Sequence, residues 1–366
     1  MTISMRVPVR SSLKELEEYK PGKLVEGGIK LSSNENPLGP SPEVVKAIAN
    51  SLESGDLKLS VYPWAGDEDE LRTEIARYVG SGLKNVVIGA GIDGVLDTLV
   101  KIFIANGDEA IIPIPTFSLY ESLITIAGGT PRYILRRRNE HFDISVDELV
   151  AACNDRTRII FLSSPNNPTG NCIAEKDIRE IAEAMPKSMV AIDEAYVEFS
   201  DSSLVNLVHE YENVVVLRTF SKAFGLAGLR VGYGVLPEWL VGIYKKVAMP
   251  FSVNSVAIQA AIAALKDNEH LRRSIELVKS GRTFLEENLQ GLFKVYPSEA
   301  NFVLVDVSPR KSSELCDALE KNGITVRDCA SFRGAGDSFI RISVGTQEEN
   351  EKLVEALKHV LSAKRF

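Results

Sequence analysis

From residue 86 onward the chain alternates short apolar runs with longer stretches whose apolar residues recur every three or four positions. NVVIGAG, AIIPIP, PRYILRR, RIIFLSS, MVAIDEAY and VVVL read as strands. GVLDTLVKIF, the end of PTFSLYESLITIAG, DISVDELVAACN and AEKDIREIAEAM read as the helices between them. Such alternation predicts an α/β protein, with a largely parallel sheet covered by helices on both faces and ligands at the carboxyl ends of its strands. Ahead of it stand the helices EVVKAIANSLES, capped by Ser41 with Pro42 in its first turn, and DELRTEIARYVG. A shorter helical piece, SLKELEEY, lies near the start. Helical spacing from about Val253 to Leu289 reads as a connection between two domains. Beyond it FKVYPS, ANFVLVDV, ITVRDCASF and SFIRISVG alternate with the helices SSELCDALEKNG and QEENEKLVEALKHVL, the pattern of a smaller α+β domain. The expected division is a segment 1–35 that joins the smaller domain, a large domain 36–280 and the small domain 281–366.

Composition narrows the function. With 366 residues there is room for two domains, and 45% hydrophobic with 25% charged residues is ordinary for a soluble globular chain. A net charge of -8 argues against nucleic acid or a membrane surface as partner. The first residues, MTISMRVPVR, lack an apolar targeting core, and no apolar run approaches a membrane span, so a cytoplasmic protein is expected. Cys153, Cys172, Cys316 and Cys329 are scattered, and the four histidines (His141, His209, His270, His359) flank no nucleophile. That pattern indicates no metal, no disulfide framework and no serine or cysteine hydrolase.

Leu217 to Gly234, LRTFSKAFGLAGLRVGYG, carries the most chemistry. A strand ends there, and Thr219, Ser221 and Arg230 form a phosphate-binding set with Lys222 left over. A lysine among apolar neighbours and near a second cation has a lowered pKa, which frees its lone pair for a Schiff base with a carbonyl. Other strand ends add to it. Phe117 follows AIIPIP, SPNNPTG follows RIIFLSS, and Asp193 closes VAID with Glu194 beside it and Tyr196 three positions on. A carboxylate at a buried strand end needs a cation, and a protonated pyridine nitrogen would satisfy it. Arg327 and Arg341 sit within apolar strand patterns, which calls for an anion at each. The loop LSSNENPLGPSP, twelve residues of polar and proline-rich sequence, reads as functional. Gly89 to Gly94 matches GxGxxG, the dinucleotide fingerprint, but the next strand AIIPIP has no acid at its carboxyl end; Asp108 and Glu109 lie at the other. One phosphate at a helix N-terminus fits better than NAD.

LSSNENPLGPSP, Tyr62-Pro63, SPNNPTG, AIDEAY, SKAFGLAGLRVGY and FIRISVGT, in this order from Leu31 to Thr346, resemble the class II pyridoxal-phosphate aminotransferases, and most closely the histidinol-phosphate aminotransferase family. The resemblance implies the fold type I of pyridoxal-phosphate transferases, with a sheet of the seven-stranded type, and pyridoxal 5'-phosphate as cofactor. It implies Lys222 as the Schiff-base lysine, Asp193 on the pyridine nitrogen, Asn167 and Tyr196 on the phenolic oxygen and Phe117 stacked on the ring. The cofactor phosphate would rest on the backbone at Gly91, Ile92 and Asp93 and on Thr219, Ser221 and Arg230, with Tyr62 reaching it from a second copy in a homodimer. Arg341, with Arg327, Tyr19 and Asn34 nearby, would face the substrate. Implied partners are a small amino donor and a 2-oxo acid, the expected reaction being histidinol phosphate with 2-oxoglutarate to imidazole acetol phosphate and glutamate. Alternatives of the same fold are an aromatic aminotransferase and a threonine-phosphate decarboxylase; an NAD-dependent dehydrogenase on Gly89–Gly94 is the alternative of another class.

Overall fold

A computed structural model describes residues 7, 9–14, 16, 18, 22 and 25–363. After a 3-10 turn (Ser11–Lys14) the chain forms β1 (Ile29–Leu31) and runs irregularly to Ser41, which caps α1 (Pro42–Ser54) by accepting from the Glu43 N–H. α2 (Ala65–Val79), β2 (Val86–Ala90) and α3 (Gly91–Phe103) follow, then β3 (Glu109–Ile114), α4 (Leu119–Ala127), β4 (Thr130–Leu135) and α5 (Val146–Ala152). β5 (Thr157–Ser163), α6 (Glu175–Ala184), β6 (Met189–Asp193), β7 (Val214–Thr219) and β8 (Val231–Val235) complete a seven-stranded sheet of order β2-β8-β7-β6-β5-β3-β4. Every pairing in it is parallel except the two made by β8. This is the expected, mainly parallel architecture.

The alternation of side chains explains the layering. Ile160, Leu162, Val190, Ile192, Val214 and Val216 pack on one face with residues of α1, α2, α6 and α8 (Ser255–Lys266). Their neighbours in sequence, such as Ile159, Phe161, Ala191 and Val215, pack on the other with α3, α4 and α7 (Glu238–Val247). A strand covered on both faces has no polar face to show, hence the continuous apolar runs. β4, at the edge, is the partly exposed one.

Three features depart from the sequence reading. β8 and α7 have no counterpart in it, since the glycines of VGYGV dilute the strand signal. The expected helical region 253–289 is two helices, α8 and α9 (Asn268–Leu289), divided at Asp267, whose side chain caps α9 by accepting from His270 N–H at 3.0 Å. Near the start, the first three residues of SLKELEEY belong to the 3-10 turn Ser11–Lys14, and its Glu15, Glu17 and Tyr19 lie outside the described residues.

The second sheet has the order β1-β11-β12-β10-β9, formed by β9 (Lys294–Tyr296), β10 (Phe302–Asp306), β11 (Ile324–Asp328) and β12 (Phe339–Ser343). β1 joins it parallel to β11, Ile29 opposite Ile324, and so draws the LSSNEN loop alongside. α9, α10 (Ser312–Lys321) and α11 (Gln347–Ala363) contribute to its core through residues such as Leu285, Leu319 and Leu357. Among the described residues no helix is long and apolar enough to cross a membrane.

Sheet order removes the dinucleotide reading. In a dinucleotide unit the strands flanking the glycine turn and its helix belong to one βαβ block. Here β2 and β3 are separated by β8, β7, β6 and β5. Glu109, at the amino end of β3, is held by Arg132 at 2.6 Å, Arg156 at 2.5 Å and Asn154 at 2.8 Å, which pull its carboxyl down to about 2. It is a structural anchor far from any ribose position.

Candidate active site

The carboxyl ends of β3, β5, β6 and β7 open on a cavity of about 980 Å³. Lys222 follows β7 by three residues, between the fully buried Phe220 and the buried Ala223 and Phe224. Its Nζ donates to the Ser33 carbonyl at 3.2 Å and lies 5.7 Å from the centre of the Tyr196 ring. Burial pushes this amine down to about 8, and the Arg341 guanidinium adds to the shift. It is poised near neutrality, as a Schiff-base lysine must be.

Asp193 ends β6, in the strand adjacent to β7. Its carboxylate accepts from the Tyr120 hydroxyl at 2.5 Å and from the Ala195 N–H at 3.0 Å, and burial raises it to about 6. No cation among the described residues pairs with it. Glu194, one residue on, points the other way: it accepts from Arg218 Nε at 2.9 Å and from the Leu204 N–H at 2.5 Å. The two acids therefore divide into one that faces the cavity and one that holds the scaffold.

Beside them α3 begins at Gly91, with Ile92 and Asp93 on the cavity wall. Gly91 itself is not on that wall. At φ 72° it admits Arg230, because an added Cβ would lie 2.7 Å from Arg230 Nη2. Arg230 donates to Asp93 Oδ2 at 2.7 Å, and Thr219 Oγ1 donates to Ser221 Oγ at 2.9 Å on the same wall. A helix N-terminus, two hydroxyls and a guanidinium in one place make an anion cradle.

The remaining wall comes from the second sheet and the LSSNEN loop. Arg341 donates through Nη1 to Asn167 Oδ1 at 2.5 Å and through Nη2 to the Ser32 carbonyl at 2.8 Å. Arg327 stands directly opposite Arg341 across β11 and β12, and both line the cavity. Asn34, in the left-handed region at φ 54°, donates from Nδ2 to the Tyr196 hydroxyl at 3.0 Å and is itself held by Ser343 and Asn301. Phe117 lies on the wall, edge-on to Tyr120 at 5.9 Å.

Fourteen of the residues singled out in the sequence thus converge, Gly91 just behind the wall. Two do not. Tyr62 is 74% exposed, stacked on Phe251 at 4.5 Å, outside this cavity. Tyr19 lies outside the described residues. Sequence reasoning missed Tyr120 and the carbonyls of Ser32 and Ser33. A tyrosine on an apolar helix face, whose hydroxyl needs a partner once buried, was the available signal for the first; backbone acceptors leave none.

The donor set fits a phosphorylated pyridine aldehyde. An amine near neutrality, a buried carboxylate with no cation, an anion cradle and an aromatic ring supply one partner for each part of it. The fold and the site define a pyridoxal-phosphate-dependent aminotransferase, and the family model for aminotransferase class I and II matches residues 26–357. A histidinol-phosphate aminotransferase of Methanosarcina mazei is 50% identical, over 98% of this chain and 98% of that protein. The crystal structure of the histidinol-phosphate aminotransferase from Sinorhizobium meliloti in complex with pyridoxal-5'-phosphate superposes with a TM-score of 0.86 at 25% identity, covering 99% of this chain and 100% of that one. For the enzyme of that name from Clostridium acetobutylicum the TM-score is 0.84 at 27% identity, over 92% and 100%. This chain belongs to the histidinol-phosphate aminotransferase family.

Proposed function

We infer that the protein transfers the amino group of histidinol phosphate to 2-oxoglutarate, a step of histidine biosynthesis carried out in the cytoplasm on small molecules. The observation that supports this donor is the register of Arg327 opposite Arg341 at the cavity wall. Like charges facing each other across a strand pair repel, and a dianionic phosphate monoester offsets two guanidinium charges where a carboxylate offsets one. Arg341 is fixed by Ser32 and Asn167, so its fork is already aimed.

Bound pyridoxal phosphate would supply an electron sink for the donor's α-carbon. Asp193 would hold the pyridine nitrogen, Asn167 and Tyr196 the phenolic oxygen and Phe117 the ring face. The backbone at Gly91, Ile92 and Asp93, with Thr219, Ser221 and Arg230, would cradle the phosphate, joined by Tyr62 of a second copy. Lys222 Nζ would be the base that takes the proton from the donor's α-carbon, and its conjugate acid would hold that proton beside the reacting atoms. Asn34 steadies Tyr196, and Arg327 and Tyr19 complete the donor's phosphate site. Residues 36–280 form the cofactor-bearing domain and 281–366, with 1–35, the smaller one.

Amino donors tested with 2-oxoglutarate decide the matter. Histidinol phosphate is expected to exceed L-histidinol in kcat/KM by about 100-fold, the worth of a charge-assisted hydrogen-bond pair at 1.4 kcal/mol per decade. A preference for an unphosphorylated aromatic donor overturns the reading.

A further inference from the structure

Arg327 and Arg341 are themselves held by a loop, residues 329–336, between β11 and β12. Arg327 Nη2 donates to Ser331 Oγ at 3.2 Å. The Phe332 ring, 6% exposed, has the Arg327 guanidinium 5.6 Å and the Arg341 guanidinium 5.9 Å from its centre. The next residue reaches away from this sheet. Arg333 donates from Nε to Glu121 Oε2 at 3.0 Å and from Nη2 to Glu121 Oε1 at 2.7 Å, and its guanidinium lies 4.7 Å over the Tyr133 ring. Glu121 belongs to α4 and Tyr133 to β4, both of the seven-stranded layer. At Gly334, φ 82°, the loop closes on the end of β3, since an added Cβ would lie 3.1 Å from Ile114 Cδ1. Glu121, Tyr133, Phe332, Arg333 and Gly334 all line the cavity.

We propose that Glu121 and Arg333 are positioning residues for the donor's phosphate: their ion pair clamps the 329–336 loop to α4 and so holds Phe332 and Ser331 against Arg327 and Arg341. The proposal rests on reading those two arginines as the phosphate site. A planar fork on a carboxylate, stacked on a tyrosine, fixes direction as well as distance, unlike a lone surface pair. Two in-register guanidiniums repel. Without the clamp they have a reason to splay, and the anion site loses its preorganisation while the lysine, the acid and the cofactor cradle stay as they are.

The test compares the holoenzymes E121Q and R333M with D306N. Asp306 accepts from Arg138 at 2.5 Å and likewise joins the two layers, but neither residue lines the cavity. For E121Q and R333M the KM for histidinol phosphate and the inhibition constant of inorganic phosphate are expected to rise about ten-fold, with kcat and the KM for L-histidinol within about two-fold, the signature of lost ground-state binding. R333K, which keeps the charge but not the fork, is expected between them and wild type. D306N is expected to match wild type. The proposal is overturned if KM for histidinol phosphate stays within about two-fold in both variants, if both donors lose affinity together, or if D306N behaves alike. A wild-type enzyme indifferent to the donor's phosphate would overturn the phosphate site and the clamp together; a preference that survives the variants overturns the clamp alone.

Discussion

Lys222 shows how much one side chain owes to its surroundings. Its motif was legible because serine, lysine and glycine cluster after a strand; its chemistry depends on Phe220, Ala223 and Phe224, which bury the stem, and on Arg341, which arrives from another sheet. An ordinary lysine amine has its pKa at 10.5, whereas this one is held at about 8, so the native protein carries the neutral, reactive amine above about 8 and loses it below. Cofactor uptake by cofactor-free protein is therefore expected to speed up about ten-fold per pH unit up to about 8 and then level off. Stopped-flow absorbance across this range measures it. A midpoint near 10.5 would mean the amine is solvated.

At the scale of elements, α4 does two jobs with consecutive residues. Tyr120 turns inward to Asp193 while Glu121 turns to Arg333, as neighbours on a helix must diverge. The Tyr120 hydroxyl stabilises the ionised form of Asp193, which burial otherwise opposes. In Tyr120→Phe, Asp193 is expected to titrate above its present value of about 6, so weakening of cofactor binding on acidification sets in at higher pH than in wild type. Net stability is expected to change by about 1 kcal/mol, the worth of one hydrogen bond. Cofactor titrations at several pH values check the first expectation, and denaturant melts the second; an unmoved acid limb would show that the contact does not tune Asp193. α4 itself was foreseen from its spacing, but a 3.6-residue period names the buried face without naming what that face meets. β8 and the break at Asp267 escaped for the opposite reason, since glycine and a capping aspartate leave weak local signals within apolar stretches.

At the scale of the whole molecule, a group of large apolar side chains around Tyr62 stands uncovered in the single chain. Leu59, Val61, Tyr62 and Trp64, ahead of α2, and Met249 and Phe251, between α7 and α8, are each more than half exposed, with Tyr62 stacked on Phe251. Exposed apolar side chains of this kind suit an interface, and under the proposed function their occupant would be a second copy that lends Tyr62 to its neighbour's cofactor. If a second copy covers this surface, Phe251→Asp is expected to leave single chains and to weaken cofactor binding at least about ten-fold, since a charge buried unpaired in an interface costs more than 1.4 kcal/mol. Sedimentation equilibrium with a cofactor titration checks both. An unchanged mass would refute the interface.

By itself the sequence determined the residue types that carry the chemistry and the order of strands and helices that present them. Both are written locally, in the side-chain period and in the polar residues that end each apolar run. Tertiary structure decided the partners. Tyr120 meets Asp193 from 73 positions away, Arg327 comes to face Arg341 through strand pairing, and β1 brings Ser32 and Ser33 to Arg341 and Lys222 by joining a sheet made mostly of the last third of the chain. A residue's period tells which way it points within its own element; what stands opposite is set by how distant elements pack.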